Sequence, residues 1–140
     1  MNDENTKKII DACKSLYSNI ETERENLRRS DVFLPIAFGF ECGDGWFDIL
    51  LDFSKKMQAY FDTQSENFIK SVYAVQIKEK FGFLRIYLTA ENDVVSSYIK
   101  EAMQRSRTTC EVCGDTETAS IRGKYHLYCA CDKHVLEYDK

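Results

Sequence analysis

Four metal-ligating residues crowd the C-terminal end of this chain in two spaced pairs. Cys110 and Cys113 form C-x2-C, seventeen residues follow, and Cys131 and His134 form C-x2-H. Tetrahedral zinc takes four nitrogen or sulfur ligands, and each pair supplies two of them from one short stretch of backbone. Gly114 follows Cys113, where a knuckle needs a residue that tolerates positive φ. His126-x2-Cys129 could close the same site instead. Cys131 and His134 are preferred because residues 125–130 alternate as a short strand and Cys131–His134 opens a run that reads as a short helix. Ligands three apart on a first helical turn face one way. Knuckle first and helix N-terminus second is the treble-clef order. A disulfide framework is the competing reading. It requires an oxidising compartment, and the polar, acidic start Met1-Asn2-Asp3-Glu4-Asn5 is no secretory signal.

Ahead of this segment, apolar periodicity predicts a helix over residues 6–29, with Ile9, Cys13, Leu16, Tyr17 and Ile20 on one face. Residues 32–40 contain the only proline, Pro35, and read as an edge strand, since proline cannot donate to a ladder. Asp44 is placed to cap a helix that begins near Gly45 or Trp46 and runs to Phe61. Residues 63–67 read as a loop. Residues 72–88 read as a hairpin turning at Lys80-Phe81-Gly82, and Asn92 or Asp93 starts a last helix to Arg107. The expected architecture is α+β: a small antiparallel sheet, made of the hairpin plus one edge strand, packed with three helices. The zinc module follows. Residues 1–107 form the core domain and residues 108–140 the zinc-binding module.

Composition narrows the function. Hydrophobic residues make up 44% of the 140 and aromatics 13%, enough for a real core. No apolar run approaches the ~20 residues of a membrane span, so a soluble, cytoplasmic protein is expected. The net charge of -4 argues against a generic nucleic-acid binder. Its distribution is uneven, because residues 69–107 carry seven basic and four acidic side chains.

Two polar constellations stand out. Glu41 and Asp44 flank a glycine-rich turn beside Trp46, a pairing that could serve acid/base chemistry but is better explained by helix capping by Asp44 and packing by Trp46. Lys78, Lys80 and Arg85 share the hairpin with Phe81, Phe83 and Tyr87. They could form a basic ridge for phosphate or an acidic protein surface, or be neutralised by Glu79, Asp44 or Glu41. Glu41, Asp44, Trp46, Lys78, Lys80 and Arg85 are therefore the candidate binding surface. No G-x-S-x-G, P-loop or H-E-x-x-H is present. Zinc deaminase chemistry needs a glutamate in H-x-E beside P-C-x-x-C, which Cys110-Glu111-Val112-Cys113 does not provide.

The stretches Glu41–Trp46, Val75–Tyr87, Cys110-x-x-Cys113-Gly114 and Cys131-x-x-His134 together resemble a family of small bacterial and phage proteins, over roughly residues 38 to 135. The family usually has a second glycine where this chain has Phe83. The resemblance implies α+β structure and a terminal zinc module, and no particular activity. The function expected on these grounds is non-catalytic: a zinc-stabilised protein that binds another protein, an inhibitor of a host or defence protein being one concrete form. A nucleic-acid-binding zinc protein using the basic hairpin ranks second. An enzyme using Glu41 and Asp44 ranks third.

Overall fold

The computed structural model describes residues 1–140. The fold is α+β, with five α-helices, a mixed three-stranded sheet and a separate two-stranded sheet. The hairpin pairs β2 (Ala74–Lys80) with β3 (Phe83–Leu88) antiparallel. The edge strand β1 (Phe40–Glu41) is two residues long and joins β2 in parallel, so the sheet is mixed and not purely antiparallel. Pro35–Phe38, expected within that strand, is instead a 3-10 turn that opens on the proline. Gly39 at φ 73° then redirects the chain, a conformation that favours glycine.

The long N-terminal helix predicted over 6–29 is two helices, α1 (Asp3–Ala12) and α2 (Ile20–Arg28). Between them the backbone steps down through three-residue bonds, Leu16 to Cys13 and Ile20 to Tyr17. The break has a physical cause outside the local sequence. The freed Leu16 carbonyl accepts the Ala74 amide at 2.9 Å, and the Asn19 side chain donates to the Ala74 carbonyl at 3.0 Å. The connector thus supplies backbone partners for the start of β2. It still buries the stripe read from the sequence: Ile9, Cys13, Leu16, Tyr17 and Ile20 are all in the core. Tyr17 keeps its hydroxyl satisfied there by bonding Ser54 Oγ at 2.6 Å.

Helix α3 (Phe47–Phe61) packs between α1 and α5 (Asp93–Ser106), and α5 also lies along β3. Residues 63–67 are not all loop, because Ser65 accepts the Phe68 amide and starts a short helix α4 (Glu66–Ser71). Asn92 caps α5 through the Val95 amide. No helix is long and apolar enough to cross a membrane.

Asp44 does not cap α3. A 3-10 turn, Asp44–Trp46, precedes that helix, and the Asp44 carboxylate instead accepts the Asn2 amide at 2.8 Å and the Asn5 side chain at 3.1 Å. It therefore anchors the start of α1. Those bonds, the Asn2 amide first, hold its carboxyl below the ordinary value of 3.8. A depressed folded value means that this contribution to stability is complete above the ordinary value and is lost as pH falls through the folded one. Asp44→Ala is expected to speed amide exchange at Asn2 and Asn5 and to leave the C-terminal cysteine cluster undisturbed. The stability gap between it and the parent should close as pH drops below about 4.

Candidate metal centre

Residues 108–140 carry a second small sheet, β4 (Ser120–Arg122) antiparallel to β5 (Tyr128–Ala130). The expected helix after Cys131 is two single 3-10 turns, Asp132–His134 and Glu137–Asp139. Extended Val135 and Leu136 separate them, and the Leu136 amide is taken by the Tyr128 hydroxyl at 3.0 Å.

Cys110 and Cys113 on the turn before β4 meet Cys131 and His134 on the turn after β5. Their ligand atoms all lie within 4.8 Å of one another. Cys113 Sγ to Cys131 Sγ is 3.8 Å, Cys110 Sγ to His134 Nδ1 is 3.5 Å, and Cys131 Sγ to His134 Nδ1 is 3.2 Å. Tetrahedral ligands at about 2.3 Å for sulfur and 2.0 Å for nitrogen stand about 3.8 Å apart for two sulfurs and about 3.5 Å for sulfur and nitrogen. The donor set and its spacing are those of a metal site such as zinc.

Electrostatics prepare the same corner. Burial pushes the Cys110 thiol up, but backbone amides of Cys131, Cys113 and Val112 directed at its sulfur outweigh that and bring it down to about 6. The Asp115 amide pulls Cys113 down, yet desolvation and the adjacent Cys110 and Cys131 sulfurs leave it raised. Crowded thiolates repel one another, and a cation among them removes that repulsion. The alternative ligands are engaged elsewhere. Cys129 is buried, its thiol raised to about 11 chiefly by burial, and it donates to the Thr109 and Arg107 carbonyls. His126 is exposed and pairs with the Tyr138 hydroxyl at 3.2 Å.

The glycine-rich turn proves to be the bed on which this segment lies. The Gly45 amide donates to the Glu111 carbonyl at 2.8 Å, and the Gly43 amide to the Glu111 carboxylate at 2.9 Å. A Cβ on Gly45 would sit 2.1 Å from the Cys110 carbonyl oxygen, and one on Gly43 2.4 Å from that of Glu111. Only glycine permits backbones to approach so closely. Trp46 is fully buried and donates its indole N–H to the Thr109 carbonyl at 2.8 Å, so it is a packing residue and not part of an exposed surface. At the other end, Gly82 in the hairpin turn lies against Ile121 and Tyr128. Buried side chains from both sides form one continuous core that includes Trp46, Cys110, Ala119 and Cys129. The glycines gave a sequence signal for this joint. Glu111, which latches it, gave none.

The remaining candidate residues separate. Glu41 accepts the Gln76 side chain at 3.1 Å while Asp44 serves α1, so the two carboxylates have different partners. Lys78, Lys80 and Arg85 do share one face of the hairpin, Lys78 directly opposite Arg85. No family model matches the chain, and no curated protein or solved structure is found to be similar to it.

Proposed function

We propose that the protein is non-catalytic, holds one structural zinc ion at Cys110, Cys113, Cys131 and His134, and acts by binding another protein. Three thiolates and an imidazole close a tetrahedral ion and leave no position for an activated water. A turn with two ligands, a β-hairpin, then a short helical turn with two more is the treble-clef order.

The observation that carries the binding reading is Phe81. It occupies the left-handed region at φ 56°, a genuine outlier for a bulky residue, and its side chain is 58% exposed. Left-handed backbone costs a non-glycine residue roughly 1–2 kcal/mol, and an exposed ring returns little of that by burial. Strain kept at such a position points to use. Phe81 stands beside Tyr125 and Leu127, 73% and 45% exposed, around an open cleft of about 570 Å³. The Tyr138 ring packs at a tilt against Tyr125, centroids 5.4 Å apart. Exposed aromatics gathered around a concavity suit a protein partner.

Phe81→Asn separates the roles. Asparagine tolerates this turn, so unfolding free energy is expected to rise by up to ~1 kcal/mol. Proteins captured by the parent should be lost. Capture of the same proteins by Phe81→Asn and parent, with equal metal content, would sink the reading.

A further inference from the structure

The outer face of the hairpin carries three cross-strand pairs: Lys80 opposite Phe83, Lys78 opposite Arg85, and Gln76 opposite Tyr87. Their neighbours Ile77, Leu84 and Ile86 turn inward and are buried. Arg85 lies over the Phe83 ring at 3.9 Å, and Arg107, arriving from the end of α5, lies over the same ring at 4.7 Å. Two guanidiniums thus share one ring, with Lys78 directly across from one of them.

No carboxylate forms an ion pair with this group. None of the molecule's ion pairs includes Lys78, Lys80, Arg85 or Arg107, although nearby Arg105 is paired with Asp52 at 2.8 Å. Glu41, in register with Lys78 across β1, reaches this face and takes the Gln76 amide without closing an ion pair, and Glu91 takes the Ser96 hydroxyl. Glu79 takes the Gly82 amide at 3.0 Å. Like charges directly opposite on a sheet are unfavourable, and Arg85 Nε is in addition buried with no acceptor. A donor left unsatisfied in this way is costly. An anion lying along the face would offset the repulsion between these cations.

We propose that this face binds the sugar–phosphate backbone of a single-stranded nucleic acid, Arg85 and Arg107 holding phosphate and Tyr87 stacking a base. Tyr87 is 42% exposed, and base stacking on aromatic rings and guanidinium planes is the sequence-tolerant mode by which sheets hold single strands. Phe83, Arg85 and Tyr87 recur at the two-residue period of β3, with Lys80 and Lys78 opposite the first two. The net charge of -4 opposes approach at long range, so affinity rests on these local contacts and belongs to low salt. The face adjoins the Phe81–Tyr125 cleft at Lys80, but Arg85, Arg107 and Tyr87 lie outside that cleft, and the proposal does not depend on the protein-binding reading.

The test is fluorescence anisotropy of a labelled oligo-dT of about 12 nucleotides with the zinc-loaded protein. Four cations on a single strand predict about 50-fold weaker binding at 200 mM than at 50 mM salt. Arg85→Ala with Arg107→Ala should weaken binding at least tenfold and flatten the salt dependence. Arg107 is exposed, so Arg107→Ala alone keeps the test valid if the double variant fails to fold. Tyr125→Ala, which disables the neighbouring cleft, should leave oligonucleotide binding intact. Absence of binding at 50 mM salt, or binding unchanged in Arg107→Ala, would overturn the proposal. So would a glutamate-rich peptide of equal charge competing as well as the oligonucleotide, since the face would then be one for acidic proteins.

Discussion

Protein purified without chelator is expected to contain one equivalent of zinc, and Cys110→Ser or Cys131→Ser to lose it together with the order of residues 108–140. The size of the effect follows from the coupling of metal binding to folding. A structural zinc site contributes an apparent ~10–16 kcal/mol at neutral pH, more than the ~5–15 kcal/mol by which a domain is ordinarily stable. Nothing else in the segment replaces that. Its strands are three residues each, and its buried side chains are few and small apart from the cysteines. Elemental analysis and thermal melts with and without chelator are the measurements. Less than half an equivalent of zinc in the parent would refute the site. Metal retained by Cys131→Ser but lost by Cys129→Ser would reassign it.

Trp46→Ala is expected to cost ~3–5 kcal/mol, the range for deleting a large buried aromatic, read as a shift of the denaturant midpoint at unchanged slope. Two losses combine. The cavity opens where α3 begins, and the Thr109 carbonyl, one residue before the first metal ligand, loses its indole partner. Trp46→Phe restores most of the volume but not the bond, so the difference between it and the parent isolates the hydrogen bond, about 1 kcal/mol net. Gly45→Ala tests the same joint from the backbone side. With 2.1 Å to the Cys110 oxygen, the methyl group forces the two segments apart. A parent-like melt for both Trp46→Ala and Gly45→Ala would refute the joint.

What the sequence revealed and what it hid divide along one line. Features set by local chemistry were legible: the ligand pairs, the hairpin turn at Phe81-Gly82, the α5 cap at Asn92, and the apolar stripes of α1, α3 and α5. Features set by distant backbone were not. The break after Ala12 answers to Ala74, more than sixty residues on. The parallel pairing of β1 depends on where β2 happens to lie. Asp44 looked like a helix cap because capping is the commonest use of an aspartate before a helix, while its true partners sit at the start of the chain. Cross-strand pairing of the hairpin cations with Glu79, Asp44 or Glu41 was expected; register sets Glu41 on one side of Lys78 and Arg85 on the other.

The joint between the glycine-rich turn and the metal-binding segment also sets the order in which the molecule can assemble. Its bonds span 63 residues from Trp46 to Thr109 and 68 from Gly43 to Glu111. Contacts of such long range are slow to form, because loop closure comes before any reward. During synthesis the N-terminal end emerges first, and Trp46 and its glycines must wait uncovered until residues 109–134 follow. A nascent chain arrested before Cys131 is therefore expected to present the unfilled bed as a sticky apolar surface, recognisable to chaperones.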